Sequence, residues 1–224
     1  MTVSSVPNKA LVTGAGGFIA RHLIAALETG GCQVTGVDSR SADQGQRETV
    51  CADICDTGAM TELMVRERPD AVFNLAAVLG RDEGGQALRS CITVNLEGAL
   101  TVARTAAAAG VKRIVLMGSA EELGEQPGPH DEDMAAQPLS PYGISKAAMT
   151  WMALATYRES GSPVVVMRPT TVYGPGQPEA LFVSQAVRAA VGGQLFEMSA
   201  GTQRRDMVFV SDVVRALVAA ATAP

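Results

Sequence analysis

Tyr142 and Lys146 stand four residues apart just after Ser140-Pro141, where a helical pattern begins, so both side chains share one helix face. A lysine ammonium at that spacing disfavours the neutral phenol and lowers its pKa. A tyrosine tuned in this way gives or takes a proton near neutral pH. Ser119 follows an apolar run over 111–117 and is placed to hold a substrate oxygen beside the tyrosine. Tyr-x-x-x-Lys also arises by chance on many helix surfaces. Its chemistry therefore depends on what the preceding elements bring to the same place.

Those elements begin with a strand, a turn and a helix. Lys9-Ala10-Leu11-Val12-Thr13 is an apolar run short enough for a buried strand, Gly14-Ala15-Gly16-Gly17 breaks it, and Leu23, Ile24 and Leu27 continue at helical spacing. The unpaired N–H groups and positive dipole end of such a helix attract anions, and glycine lets a diphosphate approach the backbone. Gly14 and Gly17 supply the tight turn and the close approach, and Ala20 stands where a small residue packs helix on strand. A second strand over 33–37 ends at Asp38, about twenty residues on, where a carboxylate accepts both hydroxyls of a ribose. This order of strand, glycines, helix, strand and acid predicts a Rossmann dinucleotide site.

Further along, strand and helix patterns alternate. Helices are predicted over 57–68 (capped by Thr57), 86–109 (closed by Gly110), 141–160, 179–191 (closed by Gly192-Gly193) and 212–221 (begun at Ser211). A short strand followed by a polar turn is predicted over 51–56, and strands over 71–77, 111–117, 164–168 and 207–210; polar loops fill 39–49, with Arg40 and Arg47, and 80–85. Two longer loops cover 118–141 and 169–178. The alternation predicts an α/β fold, a doubly wound parallel sheet with helices on both faces. Residues 1–178 are expected to form the dinucleotide-binding domain, with the late strand and helix of 179–224 returning to the Rossmann core. Alanine-rich faces on the two long helices (Ala103, Ala106, Ala107; Ala147, Ala148, Ala153) suit close contact between subunits and predict a homodimer.

Composition narrows the function classes. The chain has 224 residues, 47% of them hydrophobic, enough for a sizeable core. A net charge of −5 with no basic run argues against nucleic acid as a partner. No apolar stretch reaches membrane-spanning length, and Met1-Thr2-Val3-Ser4-Ser5-Val6-Pro7 lacks the regions of an export signal, so a cytoplasmic location is expected. Cys32, Cys51, Cys55 and Cys91 make no C-x-x-C pair, and His22 and His130 are the two histidines; the cysteines read as buried thiols and no metal site is expected.

Together, Thr13-Gly14-Ala15-Gly16-Gly17-Phe18-Ile19-Ala20, Asp38, Asn74-Leu75-Ala76-Ala77, Asn95, Ser119, Tyr142 with Lys146, and Arg168-Pro169-Thr170-Thr171-Val172-Tyr173-Gly174-Pro175 resemble the extended short-chain dehydrogenase/reductase family. Within it they resemble the NAD-dependent epimerase/dehydratase branch that acts on nucleotide sugars. The runs 118–124, 138–143 and 174–177 are most similar to the 4-keto-6-deoxy-sugar reductases of that branch. The resemblance implies that Gly14, Gly17, Phe18 and Ile19 hold the pyrophosphate, Asp38 the adenosine ribose, and that Asp53 and Ile54 border the adenine. It implies that Leu75, Ala76 and Ala77 line the middle of the cofactor with Asn95 behind them, and that Pro169 and Thr170 sit near the nicotinamide. It implies further that Tyr142 and Lys146 border the cofactor, Lys146 holding the nicotinamide ribose, and that Arg205 matches the arginine that meets the substrate diphosphate.

Some positions depart from the family pattern. Asn74 replaces a histidine, Ala20 a glycine, and Thr171 the asparagine that touches the sugar nucleotide. Glu121 falls where the 4,6-dehydratases carry an acid, but Ala120 lacks the neighbouring acid; a solvated loop carboxylate is the alternative for Glu121. Members continue well past the helix after Arg205-Asp206, so the resemblance implies that 179–224 is a partial substrate-binding lobe, short or incomplete here. The implied activity is an NAD(P)-dependent 4-ketoreductase of a nucleotide-linked sugar, with Tyr142 as proton donor and Ser119 on the ketone oxygen. A 4-epimerase, a 4,6-dehydratase and a non-catalytic dinucleotide-sensing or scaffold protein are the alternatives. Asp38 favours NAD, since it would repel a 2′-phosphate, and Arg40 keeps NADP open.

Overall fold

The computed structural model describes residues 6–40, 49–80, 86–202 and 204–223. Residues 41–48, with Arg47, and 81–85 of the two expected polar loops lie outside the described residues. Strands β1 (Lys9–Thr13), β2 (Gln33–Asp38), β3 (Val50–Cys51), β4 (Ala71–Asn74), β5 (Arg113–Met117) and β6 (Val164–Met167) form one sheet in the order β3-β2-β1-β4-β5-β6. All neighbouring pairs are parallel, and the crossovers β1–β2, β3–β4, β4–β5 and β5–β6 run through helices on one face or the other. The strand order reverses between β1 and β4. Loops leaving these two strands part company there and open a crevice beyond their C-terminal ends.

The apolar residues fill two layers. On one face, α1 (Phe18–Thr29) and α7 (Val210–Thr222) bury Leu23, Ile24, Leu27, Val213, Val214 and Leu217 against Val12 and Phe73. On the other, α2 (Thr57–Glu67), α4 (Ala99–Ala108) and α5 (Pro141–Ser160) bury Met60, Leu63, Val102, Met149 and others against Leu11, Val72 and Ile114. Ala103, Ala106, Ala147 and Ala153 are within 3% of full burial in this chain's own packing, so they are not the subunit contact the sequence suggested. What α5 exposes instead is Ile144, Trp151, Met152, Leu154 and Tyr157.

Local chemistry explains the remaining boundaries. Asp56, not Thr57, caps α2: its backbone is extended, as an N-cap requires, and its carboxylate accepts the Ala59 N–H at 3.0 Å, while Thr57 is the first helical residue. Ser140 caps α5 through the Gly143 N–H, with Pro141 in the first turn, where its missing N–H is harmless. The helix predicted over 86–109 is three pieces: α3 (Gln86–Cys91), a π-helical segment Ile92–Gly98, and α4. Helix α6 (Phe182–Gly192) starts later than expected, after a turn in which the Leu181 N–H bonds Pro178 O. The expected loop over 169–178 contains β7 (Thr171–Tyr173), which pairs in parallel with β8 (Met207–Phe209) as a separate two-stranded ribbon. α7 begins at Val210 rather than beyond Ser211. No helix among the described residues is long and apolar enough to cross a membrane.

Candidate active site

The glycine turn lies at the crevice. Gly14 adopts φ +65°, and a Cβ there would lie 2.8 Å from the Ala76 backbone, so only glycine lets this turn close onto the chain leaving β4. A Cβ on Gly17 would lie 2.9 Å from Gly14 O. Gly17 is the N-cap of α1 and no side chain caps that helix, so its first-turn N–H groups keep their dipole end for an anion. Phe18 and Ile19 are half-buried in that first turn, and Phe18 packs edge-on against His22. Asp38 closes the other side of the turn: Oδ2 accepts the Gly16 N–H at 3.0 Å and Oδ1 the Arg40 N–H at 3.2 Å. The Arg40 side chain is 83% exposed, its Nε 3.8 Å from Asp38. Asp53 is exposed, while Ile54 is buried and turned toward Gly98.

Beyond β4, Leu75 and Ala76 are half-buried and Ala77 exposed along the crevice. Asn95 holds this stretch from behind. Fully buried in the π-helical segment, it accepts the Val78 N–H at 2.8 Å and donates to Val78 O and Ser145 Oγ, each at 2.9 Å. A π turn widens the helix enough for one side chain to reach both the loop and α5. Asn74, in place of the family histidine, is buried and bonded to the Thr13 hydroxyl.

Ser119, Tyr142 and Lys146 converge at the mouth of β5. Ser119 follows the strand, its Oγ accepting the Glu121 N–H at 3.1 Å, and Tyr142 and Lys146 occupy the first turns of α5, with the Ser119 side chain near enough to act on the Tyr142 phenol. Lys146 is 1% exposed; its Nζ donates to Met117 O at 2.6 Å and lies 5.7 Å from the centre of the Tyr142 ring. The expected lowering of the tyrosine is not found. Burial pushes the Tyr142 phenol up to about 12, the Glu121 and Glu122 carboxylates adding to burial and the Ser119 side chain opposing it. Burial likewise pulls Lys146 down to about 8, against the opposing charge of Glu122. Desolvation of the whole cluster outweighs the pairwise attraction that spacing alone suggested.

Glu121 is exposed and accepts the Ser140 hydroxyl at 2.9 Å, so it stands at the rim beside Tyr142. Pro169 and Thr170 are half-buried next to the cluster, Pro169 O accepting the Ala120 N–H at 2.9 Å. The β7–β8 pairing brings Thr171 to Asp206, whose carbonyl accepts its N–H at 3.2 Å, and so places Arg205 nearby on the same ribbon. Arg205 is exposed, its guanidinium bonded to the Arg204 carbonyl. Glu122, which family motifs do not single out, is buried behind Ser119; the capping-box spacing Ser119-x-x-Glu122 is its signal in the sequence.

The profile of the NAD dependent epimerase/dehydratase family matches residues 10–224. The chain is 34% identical to the UDP-glucose 4-epimerase of Mycolicibacterium smegmatis, over 95% of this chain and 72% of that protein. It is 31% identical to the dTDP-glucose 4,6-dehydratase of Streptomyces niveus, over 92% of this chain and 67% of that protein. Among solved structures, MoeE5 in complex with UDP-glucose and NAD superposes with a TM-score of 0.84 at 34% identity, covering 96% of this chain and 72% of MoeE5.

Proposed function

The chain belongs to the NAD-dependent epimerase/dehydratase family, and from that premise we propose that it oxidises and reduces a ring carbon of a nucleotide-linked sugar, as a 4-epimerase. The observation that carries this is the convergence of Ser119, Tyr142 and Lys146 at the mouth of β5, beside the crevice that the glycine turn borders. That turn fits NAD: an uncapped helix end for the diphosphate at Gly14, Gly17, Phe18 and Ile19, and the Asp38 carboxylate where an adenosine ribose would lie. A 2′-phosphate would meet that carboxylate, which favours NAD over NADP. Asp53 and Ile54 would flank the adenine, and Leu75, Ala76, Ala77, Pro169 and Thr170 the rest of the coenzyme. Asn95 acts on it through the loop it holds. Bound NAD would supply the acceptor and donor of the electron pair at the sugar carbon.

The protein's own share is proton handling. To take the proton of the sugar hydroxyl Tyr142 must be ionised, a form that burial disfavours in the free protein and that the positive charge of a nicotinamide bound beside it would favour; it then returns that proton to the same oxygen, held by Ser119, once the electron pair has come back to the other face of the ring carbon. Lys146 has three donors, of which one goes to Met117 O, leaving others for ribose hydroxyls. Residues 1–178 would hold the coenzyme, while 179–224, with Thr171, Glu121 and Arg205, would face the sugar nucleotide.

A 4-ketoreductase is the second reading. A phenol held protonated up to about 12 is suited to donating to a ketone. A 4,6-dehydratase is less well supported: the Glu121 carboxylate is exposed at the rim and accepts the Ser140 hydroxyl, and Ala120 offers no neighbouring acid. The test is to incubate the purified protein with UDP-glucose without added coenzyme, then separately with a nucleotide-linked 4-keto-6-deoxy sugar and NADH. Interconversion with UDP-galactose supports the epimerase and NADH consumption the reductase; neither with any sugar nucleotide overturns both and leaves a non-catalytic sensor.

A further inference from the structure

We propose that Glu122 is a positioning residue of the proton-transfer cluster: its buried carboxylate ties the strand end carrying Ser119 to α5 and sets a fixed negative charge against Lys146. The inference rests on the reading of Tyr142 and Lys146 given above. Glu122 is 1% exposed. One carboxylate oxygen accepts the Ser119 N–H at 2.9 Å, and the other accepts the Thr150 hydroxyl at 2.8 Å, one turn beyond Lys146 on the same helix. With donors directed at both oxygens, the group sits there as an acceptor, the role of the ionised carboxylate. The strand end leaves room for it: a Cβ on Gly118 would lie 2.5 Å from the Glu122 oxygen.

A glutamine would close the same capping box, so the box alone does not call for a charge. The surroundings do. Burial raises the Glu122 carboxyl above the usual carboxylate range, and the Ser119 and Thr150 hydrogen bonds with the Arg168 and Lys146 charges oppose that rise and favour the ionised form. Lys146 is faced by Glu122 and the Cys91 thiol, and Tyr142 by Glu121, Glu122 and Cys91. Of these, Glu122 is the main influence keeping a proton on a lysine that burial alone would strip. Removing its charge while keeping its shape should release the Lys146 proton at lower pH.

The experiment uses the full chain and Glu122→Gln. Lysine labelled with carbon-13 at the ε position is titrated by NMR without coenzyme, the Lys146 signal being the one lost in Lys146→Met. The expected result is a midpoint lowered by about one pH unit. The alkaline limb of the kcat profile should move down by the same amount, with the sugar KM changed less than about twofold. An unmoved midpoint overturns the proposal. If Glu122→Gln does not fold, Gly118→Ala displaces the carboxylate instead and must shift the same signal in the same direction. The underlying reading fails separately: turnover that survives Tyr142→Phe removes the proton donor whatever the lysine titration does.

Discussion

Tyr142→Phe keeps the ring and removes the transferable proton, so turnover of the sugar nucleotide is expected to fall at least about 100-fold. NAD affinity, read by calorimetry, should change little, since the phenol is the only group lost. Lys146 makes a second prediction through stability. Its folded pKa of about 8 lies below the ordinary 10.5, so the folded state resists the charged form. Between those values the unfolded chain binds more protons, and stability must rise with pH. Below about pH 8 the penalty is fully present; toward pH 10.5 it disappears. Relative to Lys146→Met, the wild type should therefore gain about 3 kcal/mol across that interval in denaturant titrations. At the ribose end, Asp38→Ala should weaken NAD more than NADP, because the charge that repels a 2′-phosphate goes with the hydroxyl acceptor. Equal weakening would refute the contact.

At the scale of elements, the π-helical segment matters because it points Asn95 at both Val78 and Ser145. Asn95→Ala leaves the Val78 N–H without its partner, while Val78 O keeps the Cys91 thiol and Ser145 Oγ the Tyr142 carbonyl, and should cost about 1–3 kcal/mol, with weakened NAD binding as the coenzyme-lining loop loosens. Thermal unfolding and calorimetry measure the two effects. Gly14→Ala should act similarly, since the methyl meets Ala76 backbone rather than a yielding side chain. These elements also mark where the sequence was legible. The glycine turn, Asp38 and the Tyr142–Lys146 spacing are local features, and local spacing survives folding. The direction of the Tyr142 shift is not local: it follows from burial and from Glu121 and Glu122 closing in on the phenol. Nothing in Ile92-Thr93-Val94-Asn95 announces a wide turn, and the alanine stripes say only that something packs closely, not whether it belongs to the same chain. The β7–β8 pairing joins residues far apart in the chain, with strands too short to leave a pattern.

For the whole molecule, the apolar stripe of α5, with Ile144, Trp151 and Leu154 from 45% to 58% exposed, is the face expected to meet a second copy. Trp151→Glu should then shift the sedimentation of a dimer to that of a monomer while leaving far-UV circular dichroism unchanged; identical sedimentation of both proteins removes this face as the contact. The β7–β8 ribbon has another consequence. The chain leaves the sheet after β6 along one strand of the ribbon and returns along the other into α7, which packs on α1. Arg21 and His22 of α1 also grip the carbonyls of Gly176 and Pro175 at the outset of that excursion. Among the described residues, 177–202 and 204–206 thus form a cassette fastened at both ends to the sheet and its helices. If the proposed division of labour holds, exchanging this cassette for that of a relative should change which sugar nucleotide is turned over and leave the affinity for NAD, read by calorimetry, unchanged.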